Sequence, residues 1–176
     1  MKTKAAFFDR DGTLIVEREY LSALDQVKLL DSAVAIAKIC QEQGYKLFVI
    51  TNQSGIARGF FDEAFVQQTN NYVQNLLLQH EVHIEKTNYC PHHPEIGNKN
   101  YRIACTCRKP LPGMLHLASR EYNIDLSNSL MFGNAECDLL AGRAAGCRSF
   151  DITKLFDLSL YEVAKVLFNG TIEEIE

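Results

Sequence analysis

Short apolar runs recur along this chain with helical patterns between them. KAAFF at residues 4–8, KLFVI at 46–50 and SLMF at 129–132 are apolar at nearly every position rather than at alternate ones. A strand with one face in water alternates, whereas a strand covered on both faces does not. Between these runs, residues 32–43 place Ala33, Ile36, Ala37 and Cys40 on one helical face, with Asp31 as the expected N-cap and Gly44 as the stop. A long helix is expected after Asp62, with Phe65, Thr69, Tyr72, Val73, Leu76 and Leu77 inward. Further helices are expected at 112–122 behind Pro112, from about 136 to Gly146, and near 159–168, with shorter strands at 83–88 and 147–151. The alternation predicts an α/β, Rossmann-like fold, a mostly parallel sheet with helices on both faces. No repeat or linker interrupts it, so one domain over residues 1–176 is expected.

Folds of this kind bind ligands outside the C-terminal ends of their strands, and there the chain turns polar. Asp9 and Asp11 end the first run in FFDRDGTL. Two carboxylates one residue apart repel, so either water or a divalent cation must screen them. A charged Asp-Gly turn and an aspartyl nucleophile with a general acid/base around Mg²⁺ are both open readings of DxDGT alone. The second run enters Thr51-Asn52-Gln53-Ser54-Gly55, whose hydroxyl, amides and backbone N–H groups suit a phosphate. Lys109 adds a positive charge beside Arg108, and SLMF runs into Gly133-Asn134-Ala135-Glu136-Cys137-Asp138. Turn chemistry alone does not readily produce four polar clusters at strand ends.

The formal net charge is −4 with no basic block, which argues against a nucleic-acid partner. No apolar stretch approaches the roughly 20 residues of a membrane helix, and the N-terminus reads as neither signal nor anchor. A cytoplasmic location is expected, in which six cysteines are metal ligands or core residues rather than disulfides. Cys40 reads as core, Cys147 as part of the strand at 147–151, and Cys137 as a buried thiol. Cys90, Cys105 and Cys107 cluster in YCPHHPEIGNKNYRIACTCRKP with His92 and His93. Three thiolates and one imidazole fill a tetrahedral zinc shell with no place left for substrate, so a structural zinc is expected. It would fix a loop of little apolar content and hold Arg108 and Lys109 at the mouth of the site. A metal-free, reduced loop is the alternative.

FDRDGT, the segment starting at Thr51, Lys109 and GNAECD occur in the order that resembles the four motifs of the haloacid dehalogenase (HAD) superfamily of phosphatases. FFDRDGTL, TNQSGIARG, CPHHP and CTCRKP together resemble its subfamily of D,D-heptose 1,7-bisphosphate and histidinol-phosphate phosphatases. The resemblance covers essentially the whole chain and leaves no room for a large cap domain. It implies Asp9 as nucleophile, Asp11 as general acid/base, and Thr51, Asn52 and Lys109 around the transferring phosphoryl group. Arg108 would bind substrate, Asp9, Asp11 (through its carbonyl) and Asn134 would hold Mg²⁺, and His92 would join the three cysteines on Zn²⁺. The implied activity is removal of the 7-phosphate of D-glycero-D-manno-heptose 1,7-bisphosphate, in heptose and lipopolysaccharide precursor synthesis, by a monomer. Histidinol-phosphate hydrolysis is the alternative within the subfamily.

Motif four departs from the pattern. The resemblance calls for Asp where this chain has Asn134, and members carry Lys where it has Ala135. An Asn carbonyl can still ligate a cation but brings no charge. Asp138 or Glu136 would make up the charge, or the substrate preference would differ, or the chain would be a zinc-stabilised binding protein with a weakened site.

Overall fold

The computed structural model describes residues 2–18 and 21–168; residues 169–176 of the expected 1–176 domain lie outside the described residues. The strands are β1 (Ala5–Phe8), β2 (Lys46–Asn52), β3 (Ile84–Cys90), β4 (Leu130–Gly133) and β5 (Arg148–Asp151). They form one parallel sheet in the order β3-β2-β1-β4-β5. The helices are α1 (Asp31–Glu42), α2 (Gly55–Arg58), α3 (Glu63–Gln79), α4 (Gly113–Tyr122), α5 (Glu136–Ala145) and α6 (Leu160–Phe168).

The every-position apolar runs have the expected cause. Ala6 and Phe8 of β1 pack with α1, α3 and α6 on one face, while Ala5 and Phe7 pack with α4 and α5 on the other. Phe132 of β4 is fully buried, with ring centroids 4.8 Å from Phe8 and 5.6 Å from Phe150. Strand order reverses direction at β1, because the chain moves from β1 to β2 on one side and returns to β4 on the other. The ends of β1, β2 and β4 therefore open a common crevice.

Several local expectations are corrected. Asp31 is not the N-cap of α1; it is the first helical residue, and Leu30 precedes it with no side-chain cap. Leu30 is instead pinned by its N–H to the Leu14 carbonyl at 2.9 Å, and Asp31 contributes as an acid in the first turn. Asp62 does cap α3, accepting from the Phe65 N–H at 2.8 Å. The buried face of α3 is Val66, Thr69, Asn70, Val73 and Leu77; it includes the expected Thr69, Val73 and Leu77, and the expected Tyr72 and Leu76 pack partly buried against the core. Phe65 turns toward Phe61 instead, 5.7 Å away between centroids. GIAR forms the one-turn helix α2. Cys40 is buried as expected, Cys147 is buried one residue before β5 rather than in the strand, and Cys137 is only half-buried.

Truncation of Phe132 removes the fully buried middle of a three-ring stack. Phe132→Ala should cost about 3–5 kcal/mol, read as a lowered midpoint in urea denaturation.

Candidate active site

Asp9 directly follows β1, and its side chain meets the most buried cation of the crevice. Lys109 Nζ donates to Asp9 Oδ1 at 2.6 Å and to the Ile50 carbonyl at 2.8 Å, and it lies 2.6 Å from Asp138 Oδ1. An ammonium has three N–H donors, so all are committed. The Lys109 side chain is 1% exposed. The expectation of Lys109 at the site mouth is thus corrected: two carboxylates from distant segments draw it inside. Its main chain is fixed as firmly. Asn52 Nδ2 donates to the Lys109 carbonyl and the Lys109 N–H donates to Asn52 Oδ1, both at 3.0 Å. The Asn52 amide clasps the Lys109 backbone from both sides and keeps one N–H free of that clasp.

Asp138 lies in the first turn of α5 and accepts from the Ala135 N–H at 3.1 Å. It presses so closely on Gly133 that a Cβ there would lie 2.2 Å from Asp138 Cβ, so only glycine fits at the end of β4. Asp11 is held from two sides. Arg10 pairs with it at 3.0 Å, and Gln53 Nε2 donates to its Oδ2 at 2.8 Å and to Thr51 Oγ1 at 2.9 Å. Arg10 is itself buried, and its Nη1 donates to Asn70 Oδ1 of α3 at 2.8 Å. Arg10 and Asn70 were not singled out from the sequence, and Gln53 was read only as one of the amides suited to a phosphate. Arg10 and Gln53 lie inside the motifs, but nothing in the sequence marks Asn70 as the partner.

Burial pushes the Asp9 carboxyl up to about 6, and the neighbouring Asp138 and Asp11 add to the rise against the pull of Lys109. Burial works against the charge of Lys109 as well, but Asp9 and Asp138 outweigh it and hold the ammonium above its usual value. The crevice thus gathers three carboxylates, Asp9, Asp11 and Asp138, against the two cations Arg10 and Lys109. Oxygen donors with a surplus of negative charge fit a hard divalent cation. Asn134 stands at the end of β4, its Oδ1 accepting from Thr13 Oγ1 at 3.2 Å.

A cavity of about 250 Å³ opens beside Asp11. Arg10, Arg18, Arg58, Asn52, Gln53 and Ser54 contribute its polar lining, and Phe61 and Phe65 its apolar wall. Thr69 also lines it, with its buried hydroxyl unpartnered. Next to this cavity Cys90, His92, Cys105 and Cys107 place one ligand atom each within 4.8 Å of one another. Their S···S separations are 3.1–3.5 Å, and His92 Nδ1 lies 3.5 and 3.7 Å from Cys107 and Cys90. Tetrahedral ligands at the usual zinc–sulfur distance stand about 3.8 Å apart, so donor set and spacing fit zinc. Hydrogen bonding from Cys90 carries the Cys107 thiol down to about 5. His93 points elsewhere: its Nδ1 accepts from the N–H groups of Glu95 and Ile96, both at 3.1 Å. Arg108 Nη1 donates to the His92 carbonyl at 3.2 Å. Glu63, at the start of α3, accepts from Tyr89 at 2.6 Å and from Tyr101 of the cysteine loop at 2.8 Å.

A buried aspartate after the first strand, a second aspartate two residues on, a lysine bridging to an acid after the fourth strand, and this parallel sheet define a phosphatase of the HAD type. A family model described as polynucleotide kinase 3 phosphatase matches residues 4–165, and the chain belongs to that family. Among similar proteins, the D-glycero-β-D-manno-heptose-1,7-bisphosphate 7-phosphatase of Pasteurella multocida is 40% identical over 86% of this chain and 82% of its own length. The protein of the same name from Escherichia coli K12 is 39% identical over 80% of this chain and 74% of its own length. The crystal structure of D,D-heptose 1,7-bisphosphate phosphatase from B. bronchiseptica, complexed with magnesium and phosphate, is similar at a TM-score of 0.72 and 32% identity. It covers 83% of this chain and 78% of that one.

The raised Asp9 pKa sets a sign for stability. A carboxyl whose folded value lies near 6, above its ordinary 3.8, is preferred protonated in the fold. Its contribution is complete below about pH 4 and lost as pH rises through about 6. In magnesium-free buffer, Asp9→Asn should melt higher than wild type at pH 7, and the difference should shrink toward pH 4 in paired thermal melts.

Proposed function

We propose that this chain is a Mg²⁺-dependent phosphatase that removes the 7-phosphate of D-glycero-D-manno-heptose 1,7-bisphosphate. The observation that carries the reading is the buried Asp9–Lys109–Asp138 bridge, two residues along the chain from Asp11, which lines the arginine-rich cavity. The names of relatives near 40% identity support the substrate. A net charge of −4 with no basic block favours a small phosphorylated sugar over a polynucleotide.

Asp9 is the nucleophile. Its carboxylate oxygen forms a bond to phosphorus as the ester oxygen leaves, and Asp11 supplies that oxygen with a proton. Asp11 then takes a proton from water, which attacks phosphorus, frees inorganic phosphate and restores the Asp9 carboxylate. Thr51, Asn52 and Lys109 form the pocket of the transferring group. Thr51 offers a hydroxyl, Lys109 offers charge, and Asn52 keeps Lys109 in place. Bound Mg²⁺, held by Asp9, the Asp11 carbonyl and Asn134, would offset charge on the phosphoryl oxygens. Arg108 binds substrate from the cysteine loop. Arg18 and Arg58 line the same cavity and supply the cations for a second phosphate that Ala135 does not. Zn²⁺ on Cys90, His92, Cys105 and Cys107 is structural.

Phosphate release from both anomers of the heptose bisphosphate should exceed release from histidinol phosphate, require Mg²⁺, and vanish in Asp9→Asn. Preference for histidinol phosphate would reassign the substrate. Silence toward every ester with Mg²⁺ present would leave a zinc-stabilised binding protein.

The purified chain should carry about one zinc by metal analysis, and Cys107→Ser should lose it. Lys99 and Arg102 are already on the surface, and stripping the metal should free the loop and speed tryptic cleavage after them while the far-ultraviolet dichroism of the sheet core persists. A zinc-free chain that resists cleavage at both sites would contradict the structural role.

A further inference from the structure

We propose that Glu17 is the carboxylate that replaces the charge missing from Asn134, and that it draws the divalent cation to this site. The inference rests on reading the Asp9 crevice as a magnesium site.

The geometry starts from the Asn134 amide. Its Oδ1 accepts from Thr13 and its Nδ2 donates to Glu17 Oε2 at 3.0 Å. An ionised carboxylate only accepts hydrogen bonds, which fixes the amide with its nitrogen toward Glu17 and its oxygen on the other side. An aspartate at 134 would instead set two carboxylates against each other at this distance. The acidic group beside the end of β4 thus comes from the segment that follows β1, and the neutral amide is what lets the two side chains touch.

Glu17 is also close to the catalytic turn. A Cβ on Gly12 would lie 2.7 Å from Glu17 Oε2 and 2.3 Å from Asn134 Nδ2. Gly12 joins Asp11 to Thr13, so the Glu17 carboxylate rests on the same turn that carries Asp11. The main chain around Glu17 is tied down. Ile15 bridges to Leu29, and the Val16 N–H donates to the Lys28 carbonyl at 2.9 Å. Glu17 itself is exposed, reaching in from the rim of the cavity that it shares with Arg10, Asp11 and Arg18. A carboxylate hydrogen-bonded to a ligand side chain orients that ligand and adds to the field at the cation, and loss of such a partner typically weakens metal binding by about 10- to 100-fold.

The test measures Mn²⁺ binding to the zinc-loaded chain by electron paramagnetic resonance, without substrate. Four variants are compared with wild type: Asp9→Asn, Glu17→Gln, Asn134→Asp, and Glu17→Gln with Asn134→Asp. Glu17→Gln is isosteric at an exposed position and leaves the fold intact. It should weaken Mn²⁺ about ten-fold, and adding Asn134→Asp to it should return the affinity to near wild type, because the charge is then restored at β4. Rescue by relocated charge separates this role from simple packing. If Glu17→Gln binds Mn²⁺ as wild type does while Asp9→Asn does not, the inference about Glu17 falls and the magnesium site stands. If Asp9→Asn binds as wild type does, the reading of the crevice falls and this inference with it.

Discussion

Much of the site depends on one buried ammonium. Lys109 spends its three donors on Asp9, Asp138 and the Ile50 carbonyl, and so joins the end of β1, the strand β2 and the first turn of α5. No two of these segments adjoin in sequence. An unpaired buried carboxylate is strongly disfavoured, so Asp9 and Asp138 can share one dry crevice only with a cation between them. The crowding leaves Asp9 poised near 6 rather than far below neutrality. A divalent ion then has a reason to bind: it completes a balance that Lys109 begins.

The cysteine loop matters because Lys109 stands two residues beyond it. Cys107 is a candidate zinc ligand, Arg108 returns to the His92 carbonyl, and Lys109 is clasped by Asn52. These contacts fix the lysine before any substrate arrives, and such preorganisation is where most of the electrostatic gain in phosphoryl transfer resides. The relation answers why a sulfur-rich site with no open ligand position lies against a cavity lined by arginines.

The sheet was legible in the sequence because both faces of its strands are covered, and KAAFF, KLFVI and SLMF say so directly. The site motifs were legible because they sit at strand ends. What escaped was pairing through space. Asn70 looks like a polar residue on an amphipathic helix, yet it faces inward to hold Arg10. Lys109 looked like a mouth residue because Arg108 and two prolines surround it in sequence, yet Asp9, a hundred positions away, decides its burial. Glu17 carried no signal, since its meaning comes from Asn134 across a separation of 117 residues. Of the face expected on α3 only Phe65 departs, because it reads as core and instead forms the cavity wall.

The two tyrosines on Glu63 have a consequence for behaviour in acid. Their hydroxyls, Tyr89 first and Tyr101 second, hold the Glu63 carboxyl below its usual range, while Asp9 is held above its own. As a magnesium-free solution is acidified, Asp9 takes up its proton well before Glu63 does. The Asp9 carboxyl is therefore neutralised while the strap joining the cysteine loop, β3 and α3 is still ionised and intact. Mild acid changes the charge in the crevice without dismantling the wall of the cavity, so a return to neutral pH needs only a proton to leave, not a loop to refold.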